Sequence, residues 1–392
     1  MAMNKTCANG AKGGAKRAGG TGNRAGRRRR VAAKTVEMSS RERVLAAINH
    51  LPVDRIPTDI WATPEVWAKL RAHFGEGADL AAILHIDGSK GTQADYIGPA
   101  LPLMPEGESV DFWGIRRKNV THPGGTYAEQ SFYPLASAAT IGDLDRYAWP
   151  TTDWFDYSKM REKAVEGRKT HVVNCGYQAP FYFHNQLRGL EQSLVDPYEN
   201  PAMAHEIVRR ISEFFLAHHR KMWEACDGLI DITQVTDDLG SQSGPMIGMD
   251  LYKEFYAPWH AKMIALAHEF GIKVMHHDDG SCRQFIPLLV EMGIDVLNPV
   301  QWRCPGMDMN ELKAEFGRRL CFHGAVENQE ILPFGTPDEV RAEVRHCMDA
   351  LASDGTGYIL APCHNLQGIT PVENVVAMYD EAWRYGTEKC GG

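Results

Sequence analysis

The second half of the chain repeats one order of elements, and this order restricts the fold more than any other feature. A helical segment ends near a glycine, and an apolar segment of strand length follows it. The repeats are Gly271 before 272–275, Gly293 before 294–300, Gly317 before 320–323 and Gly355 before 358–361. Because helix, glycine and strand in this order form half of a parallel α/β unit, the sequence predicts a parallel sheet covered by helices.

Apolar segments of strand length also occur earlier in the chain. The full set is 55–61, 170–177, 229–235, 272–277, 294–300, 319–323 and 357–362. With helices between them, these segments predict an α/β fold, specifically a (β/α)8 TIM barrel. Residues 86–150 are irregular, with short alternating runs, and they predict a β-hairpin region inserted over the barrel mouth. A doubly wound open sheet is the alternative, although no Gly-x-Gly-x-x-Gly follows a strand, which disfavours nucleotide cofactors.

Basic residues are concentrated at the start of the chain. Residues 1–37 hold ten Lys or Arg and one acidic residue. With so little apolar content they are predicted to be a disordered tail, which leaves 38–392 as the barrel domain. Met38 as the natural first residue is the simpler explanation, and a basic arm touching RNA or a membrane surface is the alternative. The remaining chain has a net charge of −17, so the barrel is not expected to bind nucleic acid.

Two further counts indicate the cellular setting. No apolar run approaches the 18 or more residues that a membrane span requires, so no membrane-spanning helix is expected. The nine cysteines are irregularly spaced and form no Cys-x-x-Cys pair. A disulfide framework is therefore not expected, and a reducing cytoplasm is the natural location.

The segment 272–282 carries the densest group of reactive residues. An apolar strand leads directly into His276, His277, Asp278, Asp279 and a glycine. In α/β folds the carboxyl ends of the strands are where binding and catalytic residues lie. A simple turn that caps the next helix is the alternative for an Asp-Asp-Gly sequence. Four titratable residues in a row favour a functional site.

Polar residues also follow the other predicted strands. They are Gln178, Asp238 with Gln242, Asn298 with Gln301, His323, and Cys363 with His364. Histidine, carboxylate and thiolate from different strand ends could bind zinc and leave one position open for substrate. Alternatively, aspartate and histidine could transfer protons without a metal. The residues alone leave both readings open.

Several motifs resemble the uroporphyrinogen decarboxylase superfamily, from about Ser39 to Tyr385. They are Gly-Tyr-Gln-Ala-Pro-Phe at 176–181, Leu-Arg-Gly-Leu-Glu at 187–191, Asp-Asp-Leu-Gly at 237–240, His-Asp-Asp-Gly at 277–280, Gly-Ile-Asp-Val-Leu-Asn at 293–298, and Cys-His at 363–364 before Thr-Pro-x-Glu-Asn at 370–374. The resemblance implies a (β/α)8 barrel, in agreement with the pattern of elements. It also implies either a decarboxylase of tetrapyrrole synthesis or a zinc methyltransferase that works with a corrinoid.

The decarboxylase branch of that superfamily is the poorer match. Its members carry an arginine-containing loop after the first strand, which holds substrate carboxylates. Here the corresponding stretch, 59–67, reads Asp-Ile-Trp-Ala-Thr-Pro-Glu-Val-Trp and contains no arginine. A polycarboxylate substrate needs several cations, so decarboxylation of uroporphyrinogen is not expected.

The methyltransferase branch carries His-x-Cys at the end of the central strand and a cysteine before the last helix. The resemblance therefore implies that His277, Asp279 and Cys363 hold zinc, with aspartate replacing the first cysteine. His364 aligns equally well with the last position. Asp238, His323 and His364 are the implied catalytic residues, and the implied substrate contacts are Gln178, Gln242, Asn298 and Gln301.

The expected function is methyl transfer between a corrinoid (cobalamin-type) protein and a small-molecule donor or acceptor. The first alternative is a metal-free decarboxylase in tetrapyrrole metabolism. The second is a non-catalytic barrel that only binds a tetrapyrrole or a corrinoid protein. The expected partners are thus a small-molecule substrate and a corrinoid protein, without membrane attachment, and an oligomer is compatible with the sequence.

Overall fold

The computed structural model describes residues 37–122 and 124–391. Apart from Glu37, the predicted tail lies outside the described residues. Within them, strands β1 to β12 are Ser89–Gly91, Asp95–Tyr96, Glu108–Val110, Arg116–His122, Gly125–Phe132, Phe155–Asp156, Val172–Gln178, Ile232–Val235, Lys273–His277, Val296–Asn298, Cys321–Val326 and Tyr358–Pro362.

Helices α1 to α15 are Ser40–Ile48, Pro64–Phe74, Leu80–Ile83, Ile141–Arg146, Met160–Arg168, Pro180–Arg188, Leu190–Glu199, Pro201–Cys226, Met249–Leu251, Ala257–Glu269, Ile286–Met292, Met309–Phe316, Ile331–Phe334, Pro337–Leu351 and Val372–Cys390. A 3-10 turn at Thr152–Trp154 and a π-helical turn at Tyr252–Tyr256 lie between them. In the described part of the chain, no helix meets the length and apolarity that crossing a lipid bilayer requires.

Seven strands form one parallel sheet in the order β1-β7-β8-β9-β10-β11-β12. From β7 onward the order in the sheet follows the order in the chain, and helices connect the strands. Every residue of β11 and β12 is buried, as expected of parallel strands covered on both faces. The result is a curled α/β sheet, consistent with a TIM-like barrel.

The segment 57–59 connects the two ends of this sheet. Thr58 forms a parallel bridge with Leu360 of β12, and the N–H of Asp59 donates to the Leu360 carbonyl at 2.9 Å. On its other side, the Thr58 carbonyl accepts the N–H groups of Asp87 and Gly88 at 2.9 and 3.1 Å. Residues 87–88 directly precede β1, so the sheet curls round until its first and last strands flank the same segment.

Local sequence signals explain several helix ends. Ser39 and Glu42 form a capping box at α1, and Thr336 and Glu339 form another at α14. These pairs satisfy backbone donors that a helix start leaves free. At 370–373, however, the similar sequence does not form a capping box, because α15 begins at Val372 after an uncapped Pro371.

Residues 86–150 differ from the expectation in one respect. The segment contains the antiparallel sheet β3-β4-β5, with β4 and β5 paired as a hairpin. It also contains β1, which the sequence analysis missed and which pairs with β7 in the main sheet. The three residues of β1, Ser-Lys-Gly, are exposed and lack the apolar pattern by which buried strands are recognised.

Candidate metal centre and active site

The four titratable residues at the end of β9 divide into two pairs. His276 is fully buried and its Nδ1 donates to the Val235 carbonyl at 2.7 Å. Asp278 is also fully buried and accepts backbone N–H groups from the neighbouring loop. His277 and Asp279 alternate with them and are half-buried, because successive side chains of a strand point to opposite faces. The first pair is structural, and the second faces the open end of the sheet.

His364, from the loop after β12, completes a cluster with His277 and Asp279. The Asp279 Oδ2 atom lies 3.8 Å from Nε2 of His277 and 3.6 Å from Nε2 of His364. One potential ligand atom from each residue lies within 4.8 Å of the other two. The second carboxylate oxygen of Asp279 is buried and has no hydrogen-bond partner among the described residues. Two imidazoles and one carboxylate, with an unused buried oxygen, fit a divalent transition metal.

A hydrogen-bonded chain lies behind His277. Asn298 Oδ1 is 2.6 Å from Nδ1 of His277, and Asn298 Nδ2 is 2.6 Å from Nδ1 of His323. The His323 Nε2 atom is 3.0 Å from Asp59 Oδ2, which also accepts the indole N–H of Trp61 at 3.1 Å. Because an amide oxygen only accepts, His277 carries its proton on Nδ1 and presents the Nε2 lone pair to the cluster. Metal-binding histidines are commonly oriented in this way.

Asp238 stands at the edge of the cluster. Its Oδ1 atom lies 3.9 Å from Nε2 of His277. Burial raises the pKa of Asp238 to about 6, His277 opposes this shift, and the Asp279 carboxylate adds to it. Burial has the opposite effect on a histidine and lowers the pKa of His364, although the Asp279 carboxylate opposes this shift. Near neutral pH the site therefore contains a neutral imidazole and a carboxyl group able to exchange protons.

Two glycines allow the loops after β8 and β9 to meet. A β-carbon on Gly240 would lie 2.2 Å from the Asp279 carbonyl oxygen, and one on Gly280 would lie 2.4 Å from that of Ser241. Gly280 also has a φ of +75°, a backbone conformation that residues with a β-carbon rarely adopt. The two Asp-rich motifs therefore end in glycine because their backbones pack directly against each other.

Asp237, the neighbour of Asp238, has a different role. Its fully buried carboxylate accepts the N–H groups of Phe181 and Tyr182 at 3.1 and 2.8 Å, in the first turn of α6. Nε2 of His260 lies 3.0 Å away. A carboxylate at a helix N-terminus is stabilised by the free N–H groups there. Through these hydrogen bonds Asp237 connects the N-terminus of α6 to the end of β8.

The other predicted site residues lie at varying distances from this cluster. The amide of Gln242 donates to Gln301 at 3.4 Å, and Gln301 also accepts the N–H of Gly280, which places this pair beside the loop of Asp279. The Gln178 side chain is fully buried, and its amide has no partner within the described chain. His323 and Asn298 lie behind His277, as described above.

Cys363 is not part of the cluster formed by His277, Asp279 and His364. It is buried, and its Sγ atom lies 3.5 Å from the Val300 carbonyl. Burial, together with the Asp279 and Glu327 carboxylates, raises the pKa of the Cys363 thiol well above its ordinary value. Without a metal the group is therefore a neutral thiol. At this position the group of side chains that could hold a metal contains His364 and not the predicted Cys363.

Asp59 and Trp61 are site residues that the sequence reasoning did not select. The Trp61 ring centre lies 5.5 Å from that of His277 and 5.9 Å from that of His323. Both residues lie in the carboxyl-terminal half of the first predicted strand, 55–61, so their position near a strand end was the available signal.

Comparison with known proteins places this geometry in context. The model of the uroporphyrinogen decarboxylase (URO-D) family matches residues 152–385. A methylated-thiol–coenzyme M methyltransferase of Methanosarcina mazei is 26% identical over 203 residues, which cover 51% of this chain and 49% of that protein. A uroporphyrinogen decarboxylase of Pelodictyon phaeoclathratiforme is 23% identical over 186 residues, or 45% of this chain and 48% of that protein.

The chain thus spans about half the length of the curated relatives that it matches. Among solved structures, a methyltransferase from Methanosarcina mazei superposes with a TM-score of 0.57 at 17% identity, and the alignment covers 89% of this chain and 99% of that one. At this identity the likeness shows a shared fold.

Proposed function

The chain belongs to the uroporphyrinogen decarboxylase family, and from that premise we propose that it is a zinc-dependent methyltransferase. It would move a methyl group between a corrinoid protein and a small-molecule donor or acceptor, in the cytoplasm. The similarity to a methyltransferase supports this branch of the family. One observation carries the proposal: His277, Asp279 and His364 present three ligand atoms within 4.8 Å of one another.

The residues of the site have distinct roles in this proposal. His277 and His364 would hold zinc through Nε2, and Asp279 through a carboxylate oxygen. Zinc bound there would supply Lewis acidity and lower the pKa of a coordinated thiol or alcohol. Asn298 orients His277 through Nδ1. Asp238, with a pKa of about 6, would hold the proton that the thiol or alcohol loses or regains.

Decarboxylation of a porphyrinogen is the competing activity, because one similar protein is a uroporphyrinogen decarboxylase. Asp59 and Trp61 occupy the strand end where that branch is expected to hold substrate carboxylates with arginine. Asp238 and Asp279 add negative charge nearby, which would repel a polycarboxylate. Methyl transfer is therefore the function that the geometry supports best.

We also interpret the fold as a complete (β/α)8 barrel. In this view segment 57–59 takes the eighth strand position between β12 and β1. The β4–β5 hairpin would be an insertion at the barrel mouth. Near its turn, the N–H of Thr126 lies 3.4 Å from Glu65 of α2, and α2 follows the carboxyl end of segment 57–59.

Elemental analysis and a methyl-transfer assay test the proposed function together. Purified protein should contain about one zinc per chain, as catalytic zinc sites do. It should also transfer a methyl group to or from a cobalamin in the presence of a thiol. Protein that transfers methyl groups equally well after complete metal removal would contradict the zinc-dependent proposal. Protein that binds zinc without any turnover would favour the non-catalytic alternative.

A further inference from the structure

The interior of the curled sheet contains a cavity of about 160 Å³. Apolar side chains from strands and from α1 form most of its wall, namely Val44, Ile48, Ile232, Met275, Val296 and Ile359. In most TIM barrels the interior is filled by layers of side chains. A dry cavity of about 150 Å³ in another protein admits benzene. The space here is therefore large enough for an apolar body of about the size of benzene.

The cavity adjoins the candidate metal centre. Asp59, Trp61 and His323 form part of its wall. The Trp61 ring also lies 5.5 Å from the ring of His277, and His323 is linked to His277 through Asn298. A molecule seated in the cavity would therefore have one end close to the metal ligands.

The charges around this space select against anions. Among the described residues, no Lys or Arg lines the cavity. One carboxylate, that of Asp59, lines its metal-site end, and those of Asp238 and Asp279 lie 3.9 and 3.8 Å from Nε2 of His277. An anion would lose hydration on entering the apolar part and would be repelled by these carboxylates. An uncharged molecule meets neither penalty.

We propose that this cavity binds the apolar body of a small, uncharged methyl thioether or methyl ether. The sulfur or oxygen that bears the methyl group would lie beside Trp61 and face His277, Asp279 and His364. Gln234 and Asn174 also line the space and offer hydrogen bonds to a polar substituent. The orientation of the methyl group rests on the proposed function, whereas the preference for an uncharged body rests on the cavity alone.

A matched set of probes tests this preference. Methyl phenyl sulfide is uncharged, and 4-(methylthio)benzoate adds one carboxylate to the same body. 4-(Methylthio)benzamide, which is uncharged and has as many non-hydrogen atoms as the benzoate, separates the effect of charge from that of size. Binding of each to metal-free protein would be measured by isothermal titration calorimetry or saturation-transfer NMR. The sulfide should bind at least about ten-fold more tightly than the carboxylate, a factor that corresponds to about 1.4 kcal/mol. Equal binding, tighter binding of the carboxylate, or no binding of the sulfide would overturn the proposal.

Two variants with the same chemical change locate the bound probe. Val296 lines the cavity, whereas Val274 alternates with the cavity-lining Met275 and so faces the helices. Val296→Leu should weaken sulfide binding several-fold, and Val274→Leu should leave it unchanged. If Val296→Leu fails to fold, Ile232→Phe fills the same space. Unchanged binding in a folded cavity variant would show that the sulfide binds elsewhere and would refute the subsite.

A third variant tests the charge argument by gain of binding. Gln234→Lys places a cation in the cavity wall and should strengthen binding of 4-(methylthio)benzoate without strengthening that of the sulfide. An unchanged ratio of affinities would contradict the electrostatic part of the proposal. These measurements use metal-free protein, so they are independent of zinc content and turnover. The subsite proposal and the proposed function can therefore fail separately.

Discussion

The Oδ1 atom of Asn298 lies 2.6 Å from Nδ1 of His277, and this contact decides which nitrogen of the histidine faces the metal site. Asn298→Ala removes the acceptor, so the ring can rotate or take its other tautomer. We expect zinc affinity to fall about 10- to 100-fold, as is typical when such a supporting contact is lost. Competition with a zinc chelator would measure this. Asn119→Ala, an exposed substitution in β4, is the control, and equal losses in both variants would contradict the prediction.

The third metal ligand is predicted to be His364, and Cys363 is predicted not to bind the metal. His277→Ala and His364→Ala should each lose zinc while the circular dichroism spectrum of the folded protein is retained. Cys363→Ser should keep zinc, because the Cys363 thiol is directed to the Val300 carbonyl. Atomic emission analysis of the purified variants gives the answer. The reverse outcome, with zinc lost from Cys363→Ser and kept in His364→Ala, would restore cysteine as the ligand.

Gly280→Ala should damage the site through the backbone. The residue has a φ of +75°, and the new β-carbon would lie 2.4 Å from the Ser241 carbonyl oxygen. Strained backbone of this kind costs about 1–3 kcal/mol before the clash is counted. We expect a lower melting temperature and loss of zinc. Gly244→Ala, in the loop after β8, meets no atom within 4 Å and should behave like the natural protein.

Acid should destabilise the protein through buried neutral histidines. Burial lowers the pKa of His184 and of His219 to about 4, below an unfolded value of about 6.5. The unfolded chain therefore binds protons that the native state refuses, and stability is lost as pH falls from about 6.5 towards 4. Each histidine contributes up to about 3 kcal/mol to this loss.

Thermal unfolding followed between pH 8 and pH 4.5 would measure this effect. His219→Gln removes one titrating group, so the melting temperature of this variant should depend less steeply on pH than that of the natural protein. Parallel curves for the two proteins would show that His219 does not contribute.

Uroporphyrinogen should not be a substrate. The carboxylates of Asp59, Asp238 and Asp279 lie within 4 Å of His323 or His277, and like charges oppose the binding of a polycarboxylate there. Incubation with uroporphyrinogen under anaerobic conditions, followed by chromatography, should give no coproporphyrinogen above background. Efficient conversion would favour the decarboxylase alternative over methyl transfer.

Local patterns in the sequence determined much of what the structure contains. Apolar runs followed by polar residues located β9 and the groups at its end, because burial of a strand requires a continuous apolar segment. The same reasoning placed Asp238, Asn298 and His323 at the ends of neighbouring strands, where parallel alignment brings them to one edge. These features depend on interactions between residues that are close in the chain.

Tertiary structure decided the rest. The sequence could not show whether Cys363 or His364 turns toward Asp279, because that depends on the path of a loop after β12. It also could not reveal β1, whose exposed residues carry no apolar signal, or the role of Asp59, which contacts His323 across 264 positions of sequence. Such contacts arise only when the sheet curls and brings distant segments together. Local propensity does not predict these contacts, because their free energy comes from packing between elements.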